Sequence, residues 1–98
     1  MRYSTEVAIE WTDSADKHGI DHDDALHAIH NAYFYRREFD EPRVEGASRP
    51  DLYIGPPQQL GGPLIEVMPE QVPPRTLVIF HVMEAQPKHT ALMDQEGE

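Results

Sequence analysis

Residues 76–83 read Thr-Leu-Val-Ile-Phe-His-Val-Met, and their pattern decides the fold. Leu77, Val78, Ile79, Phe80 and Val82 put apolar side chains on both faces of an extended segment, as a strand in a sheet interior requires. By simple alternation His81 falls on the side of Leu77, Ile79 and Met83. Working backwards, residues 69–74 carry three prolines and read as a loop, and residues 64–68 read as the preceding strand. Residues 51–54 are a further strand, and the Gly- and Pro-rich segment 55–63 has the turn chemistry of a hairpin loop. The second half of the chain is therefore expected to be a three-stranded antiparallel meander.

The first half is organised differently. Val7, Ile9 and Trp11 alternate with Glu6, Ala8 and Glu10, the period of a short half-buried strand over residues 6–11. Thr12 is placed to cap a helix of about two turns, with Asp13 in its first turn, Lys17 and His18 near its end and Gly19 closing it. Asp21 opens a second helix, in which Ala25, Leu26, Ile29, Ala32 and Tyr33 form an apolar stripe suited to packing on the sheet. Residues 33–39 fit either a continuation of that helix or an edge strand, and residues 40–49 read as a surface loop. The fold class is thus α+β, one domain over residues 1–90, with an acidic, frayed tail at 91–98 and a polar stretch from residue 86 onward.

Composition excludes several functions. The 98 residues contain no cysteine, which removes disulfide frameworks, thiolate nucleophiles and sulfur-based zinc sites. No apolar run approaches the length of a membrane span and the first six residues lack the apolar stretch of a signal peptide, so the expected location is cytoplasmic, with no membrane partner. The formal net charge of −10 argues against a protein that coats nucleic acid, and any RNA contact must be local. Gly61-Gly62 is turn glycine, because no Lys-Ser or Lys-Thr follows as a phosphate loop demands.

Ile9-Glu10-Trp11-Thr12-Asp13, then Lys17-His18-Gly19-Ile20-Asp21, then Asp24-Ala25 resembles the opening of BrnT-type toxins, ribonuclease toxins with a RelE-like fold. Ile54-Gly55 and residues 64–67 and 77–85 resemble the meander of that family, so the likeness spans about 85 residues. It implies a toxin of a type II toxin–antitoxin system, a cognate antitoxin as partner, and RNA cleavage without metal or other cofactor. The chain departs from the pattern at its end, where the family has an arginine-rich helix and this sequence has Pro87-Lys88-His89 followed by Asp94, Glu96 and Glu98. It is also acidic, whereas such toxins are generally basic.

RNA cleavage of this kind needs a base for the 2′-hydroxyl, a cation for the phosphorane and an acid for the leaving oxygen. By the resemblance, Lys17 holds phosphate and His18 acts as acid or base; as residues alone, the two equally suit a helix C-terminus that favours positive charge. His81 is a catalytic imidazole at the sheet surface or a hydrogen-bonded core histidine. Arg75, Lys88 and His89 are candidates for binding substrate, or solvated polar residues near the chain end. Asp23, His27 and His30 share one side of the second helix, but a polar helix face explains them without a metal.

A competing reading is a non-catalytic acidic interaction module that keeps the fold and binds a basic partner protein. A third is a homodimer paired through an exposed edge strand such as residues 64–68.

Overall fold

The computed structural model describes residues 8–40 and 49–96. Its elements run β1 (Ala8–Trp11), α1 (Asp13–Asp16), α2 (His22–His30), β2 (Phe34–Arg36), β3 (Leu52–Gly55), β4 (Ile65–Val72), β5 (Thr76–Glu84) and α3 (Pro87–Glu96). The five strands form one mixed sheet in the order β1-β5-β4-β3-β2. β3, β4 and β5 are the expected antiparallel meander, β2 extends it antiparallel along β3, and β1 joins parallel to β5. Glu6 and Val7 of the expected first strand and residues 41–48 of the expected loop lie outside the described residues.

Local signals account for the helices. Thr12 caps α1 by accepting from the Ala15 N–H at 3.2 Å, and Asp21 caps α2 by accepting from the Asp23 N–H at 2.7 Å. α1 is one turn rather than two, with Lys17 as its C-cap, and Gly19 takes the left-handed conformation (φ 73°) that turns the chain into α2. α2 approaches the sheet closely at Gly55: a Cβ there would stand 2.2 Å from the Ala28 carbonyl oxygen. The open choice at residues 33–39 resolves as a strand, because the Tyr33 N–H donates to the Ile54 carbonyl and Phe34 pairs with Ile54.

Three expectations need correction. Residues 69–72, read as loop, belong to β4: a register irregularity at Met68/Pro69 accommodates the proline, whose carbonyl accepts from the Asp51 N–H. Residues 64–68 offer no edge for pairing two copies, since β4 lies in the middle of the sheet between β3 and β5. Residues 87–96, read as polar tail, form α3. The Gln86 carbonyl accepts from the His89 and Thr90 N–H groups, Pro87 occupies the first helical position, and Leu92 and Met93 pack against the apolar residues beneath.

The irregularity also sets which residues face which side. Met68 opposes His81 and Pro69 opposes Ile79, so Phe80 is an extra residue on β5. Ile79 and Val82, three apart, therefore both pack beneath α1 and α2 with Ile65, Val67, Ala15, Ala25 and Ala28. Phe80 packs on the other side with Phe34, Leu52, Ile54 and Met68, where α3 lies. The Phe80 carbonyl accepts from the Ser14 hydroxyl at 2.6 Å and helps to dock α1.

Candidate functional site

Glu66 sits on β4 between Ile65 and Val67, which face α1 and α2, so its side chain points to the α3 side. It is fully buried, and its carboxylate receives four hydrogen bonds. His81 Nε2 lies 2.6 Å from Oε2 and His89 Nδ1 lies 2.7 Å from Oε1. The Gln86 backbone N–H donates to Oε1 at 2.9 Å and the Gln86 side-chain amide to Oε2 at 2.7 Å. The bulge makes the first of these contacts possible: the extra residue shifts His81 off the side of Ile79, where alternation placed it, and onto the side of Glu66.

Burial alone would push the Glu66 carboxyl up, but hydrogen bonds from His81, the Gln86 N–H, His89 and the Gln86 amide outweigh it and hold the pKa at about 2. At neutral pH Glu66 is therefore an anion with no proton to give, and each neutral imidazole must donate to it. In its neutral form His81 therefore carries its proton on Nε2, and His89 on Nδ1. That leaves the Nδ1 lone pair of His81 and the Nε2 lone pair of His89 as acceptors. Among the described residues no buried side-chain nitrogen or oxygen lacks a partner, and His81 makes no second hydrogen bond, so its Nδ1 reaches solvent. His81 keeps 23% of its side chain exposed, whereas His89 is buried with its ring edge-on to Phe39 at 5.2 Å.

The sequence candidates separate into distinct places. His81 and His89 meet at Glu66, a residue not singled out from sequence. Lys88 is exposed beside His89 in the first turn of α3. Lys17 and His18 are exposed at the end of α1, whose Ala15 packs on the opposite face of the sheet, so they do not join the Glu66 cluster. Arg75 lies at the β4–β5 turn, six residues from His81 and about 20 Å along the strand. Beside Lys17 and His18 the corner between the helices holds its own aromatic pair: Trp11 stacks on His22 at 3.6 Å, and His22 Nε2 lies 2.6 Å from Asp16 Oδ1. His27 Nδ1 meets the Pro56 carbonyl at 2.9 Å, and among the described residues no three His, Asp or Glu side chains are arranged to hold a metal ion.

The Glu66 cluster opens to solvent through the part-exposed His81. Depressions of about 170, 420 and 260 Å³ are lined by other residues. A signal for Glu66 was present in the sequence: a carboxylate inside the apolar run Leu64-Ile65-Glu66-Val67-Met68 must find hydrogen-bond partners if the strand is buried. No protein-family model, curated protein or solved structure matches this chain. No helix is long and apolar enough to cross a membrane.

Proposed function

We propose that this chain is a toxin-class protein of BrnT or RelE type that cleaves RNA, with His81 as its general base and Glu66 as the residue that positions it. The observation that carries the reading is the imidazole of His81, held through Nε2 by a buried anionic carboxylate with Nδ1 facing solvent. In that tautomer Nδ1 takes the proton of a ribose 2′-hydroxyl. The 2′ oxygen attacks phosphorus, the bond to the 5′ oxygen breaks, and that oxygen leaves with a proton drawn from solvent. The products are a 2′,3′-cyclic phosphate and a 5′-hydroxyl. Lys88, exposed beside His89, is the residue assigned to meet the developing phosphorane charge. The order strand, two helices, antiparallel meander supports the RelE-like assignment, and an antitoxin is the expected partner.

The test is induction in a bacterial host, with total RNA followed over time. Wild type should arrest growth and cut RNA in the presence of chelator. His81→Gln, whose amide can still donate to Glu66, should fold normally and do neither. Harmless wild type with intact RNA sinks the reading. The net charge of −10 favours the second reading, a non-catalytic module for a basic partner protein, which predicts a pull-down partner whose complex weakens with salt.

A further inference from the structure

Among the described residues, α1 and α2 cover only half of their face of the sheet. α2 packs at the Gly55 end of β3, and α1 docks at Phe80 of β5. Toward the β4–β5 turn the same face shows Ile9 of β1 beside Leu77 of β5, Gln71 of β4 opposite Leu77, and Tyr53 of β3 opposite Tyr35 of β2. All five strands thus contribute to one surface, about 19 Å across at the usual strand spacing. The two tyrosine rings are 4.8 Å apart and tilted by 40°, and Tyr35 and Ile9 are 46% and 40% exposed. Two depressions meet at Gln71, which lines both. One, of about 420 Å³, includes Ile9, Tyr53, Arg75 and Leu77; the other, of about 260 Å³, includes Tyr35, Arg37, Arg49 and Asp51.

Charge singles out this region. The chain carries 18 acidic residues against 8 Lys and Arg, yet three arginines line these depressions against two acids, Glu38 and Asp51. Asp51 is engaged internally, accepting from the Tyr35 hydroxyl at 3.2 Å and the Glu38 N–H at 2.9 Å, and Arg49 Nε donates to the Asp40 carbonyl at 3.1 Å, so Arg37 is the guanidinium on which the phosphate contact chiefly depends. Burial and the Asp51 carboxylate push the Tyr35 hydroxyl pKa up, which keeps that ring a neutral donor.

We propose that this half-open face binds a segment of single-stranded RNA, with bases stacking on Tyr35 and Tyr53 and phosphates held by Arg37, Arg49 and Arg75. Aromatic rings on an open sheet flanked by guanidinium groups are the chemistry that unpaired bases and their backbone recognise. An acidic peptide would use the arginines but has no need of the paired rings. The surface lies on the opposite side of the sheet from His81, so binding here stands apart from the cleavage proposed above.

The experiment is a fluorescence-anisotropy titration of the full chain with a labelled, mixed-sequence 2′-O-methyl RNA oligonucleotide, which lacks the nucleophile for strand cleavage. Wild type should bind, with affinity falling as salt rises. Tyr35→Ala should weaken binding at least about 5-fold, the lower bound for one stacked base. Arg37→Gln, an exposed change with little consequence for folding, should weaken it and reduce the slope of log affinity against log salt by about 1. The proposal is overturned if wild type does not bind at low salt, if both variants bind as wild type does, or if poly-glutamate displaces the RNA as effectively as unlabelled RNA. Each of these results leaves the His81-dependent growth test intact, so the two readings fail separately.

Discussion

On the side of α1 and α2 the sheet buries small and branched apolar residues, Ala15, Ala25, Ala28, Ile65, Val67, Ile79 and Val82, and the helix backbone comes within touching distance of Gly55. On the side of α3 larger residues, Phe34, Leu52, Ile54, Met68 and Phe80, are interrupted by a carboxylate and two imidazoles. The first face is held by close approach, which the absence of a side chain permits. The second is held where a polar network happens to be complete, because a buried carboxylate is tolerable only with its hydrogen bonds made. α3 shows the difference: its cap residue Gln86 and its His89 supply three of the four hydrogen bonds to Glu66, so helix and network depend on each other.

Substitutions that strike one face and spare the other test this contrast. The largest effect is expected from Gly55→Val, which drives a side chain into the Ala28 carbonyl and should cost about 4 kcal/mol or more in urea unfolding. A cost below about 1 kcal/mol would mean that α2 is not pinned there. Glu66→Gln keeps the shape of the side chain but removes the anion that four donors share, and should cost about 3 kcal/mol.

The same residue predicts an acid-sensitive stability. The folded carboxyl titrates at about 2 against an ordinary 4.5, so its contribution is complete above about 4.5 and is lost as pH falls toward 2. That loss amounts to about 3 kcal/mol, and it should appear as the difference between the pH profiles of wild type and Glu66→Gln. Parallel profiles would show that Glu66 is not held down. Thr12→Ala, which removes the α1 cap and the Thr12–Ser14 hydroxyl contact, should cost about 1 kcal/mol in the same assay. Tyr35→Phe deletes an exposed hydrogen bond to Asp51 and should change stability by less than about 0.5 kcal/mol, a value above 1 being evidence that the open half-face is structural rather than a binding surface.

Much of this architecture was legible in the chain. Short apolar runs bounded by Gly and Pro marked the meander, alternation marked β1, and Thr12, Gly19 and Asp21 marked the helix boundaries, because those signals are local and each acts within a few residues. What escaped depends on distant partners. Pro69 looked like a strand breaker until the register shift gave it a place without a ladder donor. The polar residues 87–96 gave no apolar period strong enough to announce α3, which Glu66 anchors from 20 residues away. Of the candidate site, His81 and His89 were named, but the bulge that turns His81 toward Glu66 changes strand parity by one residue and leaves no mark in composition. Lys17 and His18 were grouped with them on a resemblance in sequence, and the fold puts the sheet between the two sets.

The parallel pairing of β1 with β5 has a consequence for how the protein comes into being. Ala8 faces Thr76, so β1 waits 68 residues for its partner. At roughly 5–20 residues per second that delay is several seconds on the ribosome, and a contact so distant in sequence closes late in folding in any case. The β2–β3–β4 hairpins need no such wait. During synthesis the nascent chain should therefore show amide protection in the meander before β1, and the α1 docking contact from Ser14 to Phe80 should form only when the last strand has arrived.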